Sequence, residues 1–386
     1  MEIASNIFYV GVNDHLTDLF EGQYKVPLGM SYNSYLIKDE KIAVMDSVDI
    51  RFFDEWISNI DRLLLGSEPD YIVVQHMEPD HSSSLFRFTE KYKNATVVAS
   101  KSAFNMMRGF FGSDFADRRL IVGEGDTLSL GERALTFVTA PMVHWPEVIV
   151  SYEAKDGILF SADGFGKFGA LDYEDEWACE ARRYYFGIVG KYGAQVQALL
   201  KKAAALKINK ICPLHGPVLT ENIEYYINLY DTWSSYRPED EGVTIAYTSV
   251  YGNTKAAVEL LTEKLKEYGV EKISVSDLAR CDMAEAVEDA FRYDRLVLAT
   301  TTYNGDVFPF MKEFINHLTE RGYKNRKIAL IENGTWAPTA AKIMERMLEG
   351  CQNIEMISAR PKILSSLSDT SKAEIDALAK ELAGAR

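Results

Sequence analysis

Hydrophobic and polar positions follow two different rhythms along the chain. In the first half, short apolar runs (NIFYVGV, NSYLIKD turning through DEK into KIAVMDS, YIVVQ, ATVVAS, LIVGEGDTLSL, ALTFVTAP, EVIVSYEA and GILFSAD) predict strands. A helix is predicted near residues 51 to 65. Their close spacing favours hairpins and antiparallel neighbours over regular βαβ units, so two packed sheets with outer helices are expected. A partly amphipathic stretch from Tyr173 to Leu206, the strand KICPL and a helix from Thr220 to Trp233 follow.

The rhythm changes after the polar, proline-bearing SSYRPEDEG, which reads as a linker. Beyond it, VTIAYTS, KISVSDL, DRLVLATT, KIALIEN and EMIS alternate with helical segments, the pattern of a doubly wound parallel sheet. The expected domains are therefore residues 1–240 and 241–386 of an α/β protein, closed by the helix in SKAEIDALAKELAGA. No internal repeat or low-complexity tract interrupts them.

Composition narrows the function classes. Asp and Glu outnumber Lys and Arg by 57 to 42, a formal net charge of −15, which repels phosphate backbones and anionic bilayers. Nucleic acid and membrane are thus not expected partners. The N-terminus has no basic segment followed by an apolar core, so a cytoplasmic location is expected. Cys179, Cys212, Cys281 and Cys351 are far apart and form no CxxC pair for zinc, a rubredoxin-type iron or a redox disulfide.

Only six histidines occur, and His76, His81, His144 and His215 lie at or beside the ends of predicted strands. The segment His76-Met77-Glu78-Pro79-Asp80-His81 places four candidate ligands in a turn stiffened by Pro79. Further on come His144 in TAPMVHWP, Asp163 in LFSADGFG and His215 in CPLHGP. Burying such carboxylates and imidazoles together without a cation would strand like charges in low dielectric, whereas divalent metal ions pair them. A thiolate-free, carboxylate-rich set suits iron or manganese, and the donors alone leave zinc open. His15 and His317 fit no motif and read as a loop and a helix residue. Trp145, Phe165 and Tyr173 are candidates to line access to the metals, with packing the favoured role for each.

This succession resembles the metallo-β-lactamase superfamily, whose first motif is usually HxHxDH. Here Glu78 stands in place of the second histidine, and HxExDH with downstream His, Asp and His resembles flavodiiron proteins specifically. The resemblance implies an N-terminal αββα sandwich with a di-iron centre. His76, Glu78 and His144 would hold one iron and Asp80, His81 and His215 the other, with Asp163 as bridge.

In the second domain, Thr248-Ser249-Val250-Tyr251-Gly252-Asn253-Thr254 joins a strand to a helix N-terminus, where loop amides, hydroxyls and the helix dipole suit a phosphate. No GxxxxGK[ST] or GxGxxG is present, which argues against nucleoside triphosphates and dinucleotides. Thr301-Thr302-Tyr303-Asn304-Gly305 and Asn333-Gly334-Thr335-Trp336 end the next two strands of the series, so the three loops are expected at one sheet edge. The arrangement resembles flavodoxin and hence implies FMN, with Tyr303 and Trp336 as candidate partners of the isoalloxazine ring. ATTTYNG and ENGTW depart from the usual flavodoxin loops.

Together the resemblances imply an oxidoreductase that passes electrons from FMN to two iron ions and reduces dioxygen or nitric oxide. They also imply a head-to-tail homodimer or dimer of dimers. With no rubredoxin or flavin-reductase extension in this sequence, the expected donor is external: a rubredoxin, a flavin reductase or a reduced deazaflavin. Two other readings remain: a metal-dependent hydrolase with an accessory flavodoxin domain, and an electron carrier or redox sensor with a structural metal site.

Overall fold

A computed structural model describes residues 1–384. The chain separates into two compact units, Met1–Asp231 and Thr232 onward. The division falls inside the helix Ile223–Ser234, earlier than the expected 240/241 boundary. The segment read as a polar linker is packed rather than loose. Trp233 Nε1 donates to Glu239 Oε2 at 2.8 Å, and the buried Tyr236 offers its carbonyl to Arg326 Nη1 at 2.8 Å.

The first unit holds a seven-stranded and a five-stranded sheet. The hairpin Tyr35–Lys38 with Ile42–Met45 is antiparallel, as expected. However, Ile42–Met45, Tyr71–Val74, Thr96–Ala99 and Arg119–Ile121 run parallel, contrary to the antiparallel expectation for this half. The helices Phe53–Leu64 and Lys101–Phe111 provide crossovers long enough for parallel pairing. The second sheet, from Thr127–Ser129 to Ile158–Phe160, is antiparallel and then gains Lys210–Cys212 in parallel.

The two sheets share one core. Tyr35, Ile37, Met45, Val73 and Val98 from the first pack with Leu135, Phe137, Ile149, Phe160 and Cys212 from the second. Alternate residues of each strand face this layer, as the period-two pattern requires. Truncating one of these aromatics, Phe137 or Phe160, would cost about 3–5 kcal/mol. The closed core anchors the strand ends from which the site projects.

In the second unit the strands Ile273–Asp277, Asp240–Tyr247, Tyr293–Tyr303, Arg326–Asn333 and Ile354–Met356 lie in that spatial order, all parallel. This is the flavodoxin-like order, with its switch point beside the first strand of the unit. The helices Asn253–Glu267 and Asp369–Ala383 cover one face over Ile245, Val297 and Ile331. A further strand, Lys362–Ile363, extends the sheet at its carboxyl edge.

Candidate functional site

The HxExDH segment divides its ligands by backbone conformation. His76 and Glu78 lie on extended chain after the strand Tyr71–Val74, and alternate residues of extended chain face one way. Pro79, with its preset φ, then opens a single helical turn, Pro79–Ser82, which turns Asp80 and His81 in another direction. Ser82 Oγ donates to Met77 O at 2.8 Å and Ser47 Oγ to His81 O at 2.6 Å, fixing the turn.

Two buried groups of side chains result. His76, Glu78, His144 and Asp163 form one and Asp80, His81 and His215 the other, each with its candidate ligand atoms within 4.8 Å of one another. Asp163 faces both. Its Oδ2 lies 3.3 Å from His76 Nε2 and 3.0 Å from His144 Nε2, while its Oδ1 lies 3.4 Å from His81 Nε2 and 3.9 Å from His215 Nε2. His81 Nε2 and His215 Nε2 approach to 3.0 Å, and Asp80 Oδ2 is 3.3 Å from each.

The buried oxygens of Asp80 and Asp163 receive no hydrogen bond of normal geometry despite these neighbours. Buried carboxylate oxygens without donors are costly, and convergent imidazole lone pairs repel, so a pair of cations fits where protons do not. The donor set is oxygen and nitrogen only, which suits iron or manganese.

Residues that the sequence reading missed hold these groups in place. Glu147 Oε1, fully buried, accepts from His76 Nδ1 and from the Met77 amide, both at 2.8 Å. Asp46 Oδ1 accepts from the Gln75 amide at 2.7 Å, and His215 Nδ1 donates to Ser31 O at 2.7 Å. Such partners fix the tautomer that leaves Nε2 free for a metal. His81 Nδ1 has no such partner, so nothing on that side of the ring fixes its tautomer. The only sequence signal for Asp46 and Glu147 was an acidic residue at the edge of an apolar strand, in KIAVMDS and HWPEVIV. Asp46, Met142, Ala162 and Phe165 all have positive φ, an uncommon state for non-glycine residues that clusters around functional sites.

Electrostatics agree with this picture. Burial alone would lower the His144 pKa, but the Asp163 and Glu78 carboxylates reverse it and raise it to about 9. Burial likewise opposes ionisation of Glu78 and is overcome by His144 and His76, which hold the carboxyl well below its usual range. Burial pushes Asp46 up to about 7, outweighing the lowering effect of the Gln75 and His76 amides and the His76 ring. Trp145 stacks edge-on to His76 with ring centroids 5.3 Å apart, and Phe165 stacks on Tyr230 at 4.1 Å. Tyr173 is half exposed and contacts His15 at 5.7 Å.

In the second unit the three predicted loops enclose an open cavity of about 540 Å³ at the carboxyl edge of the sheet, within the usual size of a ligand pocket. Ser249, Tyr251, Asn253, Thr254, Thr301, Thr302, Tyr303, Asn304, Gly305, Asn333, Gly334 and Trp336 line it. Thr248 and Gly252 do not. The Thr248 hydroxyl is buried against Thr300 Oγ1 at 2.6 Å, and Gly252 instead supplies the left-handed turn, φ +91°, that starts the helix Asn253–Glu267. Thr302 also has a structural task, because its Oγ1 accepts from the Thr339 and Ala340 amides at 2.8 and 3.1 Å.

Two observations fit an anionic, polar ligand there. Ser249 Oγ accepts from the Gly252 and Lys255 amides at 3.1 and 3.2 Å, so these donors point into the loop, and the buried Thr301 hydroxyl has no partner. Ser365, tied to Asn333 Oδ1 at 3.2 Å, adds a fourth loop that the sequence reading did not place.

Comparison with known proteins assigns the class. A family model described as ODP family beta lactamase matches residues 30–216, and one described as flavodoxin domain matches residues 244–359. An uncharacterized protein of Methanocaldococcus jannaschii is 31% identical over 82% of this chain and 81% of its own length. The anaerobic nitric oxide reductase flavorubredoxin of Vibrio vulnificus is 29% identical over 87% of this chain and 70% of its own length. The flavodiiron protein from Giardia intestinalis is 26% identical, with a TM-score of 0.91 over 100% of this chain and 96% of that one. The fold is thus a β-lactamase-like domain followed by a flavodoxin-like domain. This chain belongs to the flavodiiron protein family. Among the described residues, no helix is long and apolar enough to cross a membrane.

Proposed function

We propose that this chain is an FMN- and di-iron-dependent oxidoreductase of the cytoplasm that reduces dioxygen to water, nitric oxide to nitrous oxide, or both. The observation that carries the reading is the division of Asp163, one oxygen toward each buried histidine–carboxylate group. His76, Glu78 and His144 would hold one iron, Asp80, His81 and His215 the second, and Asp163 would bridge them. The irons supply electrophilic binding of the gas and the flavin supplies stored electrons.

The protein's own residues orient and insulate. Glu147 and Ser31 fix His76 and His215. Burial around the seven ligands excludes bulk water, which strengthens their field on a bound gas. Dioxygen takes up four electrons and four protons to give two waters. Two molecules of nitric oxide take up two of each to give nitrous oxide and water.

The loops around Ser249, Thr301 and Asn333 would hold FMN, the first at its phosphate. The pocket rim is aromatic and open, with Tyr251 93% and Trp336 81% exposed, which suits a partner subunit or a docked donor. We assign the dimer as head-to-tail, with flavin of one subunit serving irons of the other. The donor is a separate protein or reduced cofactor, such as rubredoxin, a flavin reductase or a reduced deazaflavin.

Turnover of the native protein with dioxygen and with nitric oxide, using one artificial donor, tests the reading alongside metal and flavin analysis. Iron, FMN and turnover of at least one gas are expected. Two zinc ions and no iron per chain would favour a hydrolase instead.

A further inference from the structure

Between the outer face of the second sheet and the helix Gly193–Ala203 lies a small, largely closed cavity, with Val150, Leu159 and Leu199 among its walls. Its inner end is built by the chain neighbours of two proposed iron ligands: Val143 precedes His144, while Gly164 and Phe165 follow Asp163. It leaves about 20 Å³ of room for the centre of a water-sized molecule. About 10–15 Å³ suffices for one such molecule.

What could occupy it follows from its polarity. A buried water needs roughly two to four polar partners. The cavity has two side-chain hydroxyls, and both are engaged: Ser161 Oγ donates to Gly164 O at 2.6 Å, and Tyr230 Oη accepts from the Phe165 amide at 2.6 Å. Every other lining side chain is hydrocarbon. A cavity of this kind stays dry and favours small apolar solutes over water.

We propose that this cavity is a docking site for a dissolved apolar diatomic gas, dioxygen or nitric oxide, beside the metal-binding residues. The proposal rests on the gas-reducing reading. It adds a place where substrate collects behind Val143 and Phe165, raising its local concentration next to His144 and Asp163.

Xenon, which binds dry apolar cavities, is the probe. Crystals of the holoprotein pressurised with xenon should show an atom between Val150 and Leu199. Ala203→Phe, which fills the cavity from the half-buried helix, should remove it. The same variant should raise KM for the gas by about fivefold with kcat, iron and flavin content unchanged. If Ala203→Phe does not fold, Val150→Ile is read in the same way. Leu199→Ala, which enlarges the space, should keep the xenon.

No xenon in the wild type overturns the proposal. So does a filled cavity whose gas KM stays within twofold of wild type. A wild type that turns over neither gas sinks the gas-reducing reading instead, and xenon occupancy then decides the cavity alone.

Discussion

His76 Nδ1 lies 2.8 Å from Glu147 Oε1, and both side chains are fully removed from solvent. The same oxygen accepts from the Met77 amide, so one carboxylate fixes both the ring and the backbone of the segment that carries four proposed ligands. Loss of such a partner typically lowers metal affinity about 10–100-fold. Glu147→Ala should therefore release iron to a chelating buffer at concentrations that leave the wild type loaded. Iron per chain, by plasma emission spectrometry after dialysis, is the measurement, and equal retention in the two proteins would count against the role.

Asp163 reaches both groups of ligands, so its loss should differ in kind from loss of an outer partner. Asp163→Asn keeps the size but replaces one anionic oxygen with an amide nitrogen that cannot bridge. Iron should fall from two per chain toward one or fewer, and gas turnover should drop by at least about 100-fold, with flavin content unchanged because the loops proposed to hold FMN belong to the other unit. Full occupancy of both metals in this variant would remove the bridging assignment.

The sequence made the histidine and carboxylate clusters legible because candidate metal ligands must be particular residue types at the ends of strands, and seven such residues recur in order. Asp46, Glu147 and Ser365 were not legible, since a lone acid or serine beside an apolar run is ordinary and acquires meaning only from its partner in space. Thr248 was misplaced for a related reason. Its position in the loop was right, but its hydroxyl turns inward to Thr300, a choice set by the neighbouring strand Tyr293–Tyr303. The parallel pairing of the first sheet escaped because short apolar runs carry no sign of direction, which is set by whether a helix or a tight turn follows.

Tyr303 and Trp336 both line the proposed flavin pocket, the first half exposed and the second largely so. Stacking of an aromatic side chain on a planar ring is worth about 1–3 kcal/mol. Alanine at whichever residue covers the isoalloxazine should therefore weaken FMN binding roughly 5- to 150-fold, while the other substitution has little effect. Titration of the apoprotein with FMN, followed by flavin fluorescence, separates the two. Unchanged affinity in both single variants and in the double variant would exclude either as a stacking partner.

Metal removal should be felt as lost stability. The buried carboxylate oxygens of Asp80 and Asp163 make no hydrogen bond of normal geometry, so without cations the folded first unit must balance them with protons on the surrounding imidazoles at a poorer fit. A ligand present at 100 times its Kd stabilises the folded state by about 2.7 kcal/mol. In a unit of this size that corresponds to roughly 5–10 °C in Tm. Calorimetry before and after chelation should show the melting of the first unit shift downward by this order and recover on adding ferrous iron under anaerobic conditions. An unshifted transition would mean that the cluster is satisfied by protons.

Two cysteines are held as protonated thiols. Burial, reinforced by the nearby acids Asp282, Asp277 and Glu285, pushes the Cys281 thiol up to about 11, and burial raises the Cys212 thiol further still. Only the thiolate is a competent nucleophile, and a raised pKa keeps the thiol protonated until the pH approaches that value. Alkylation of Cys281 by iodoacetamide should therefore accelerate by about tenfold per pH unit between pH 7 and pH 10. At pH 8 its rate constant should be roughly 10- to 100-fold below that of an unperturbed cysteine, after allowing for the greater intrinsic nucleophilicity of a high-pKa thiolate. Cys212 should label only when the first unit unfolds. Peptide mapping of labelled protein checks both. A Cys281 rate that levels off near pH 8.5 would show an ordinary thiol.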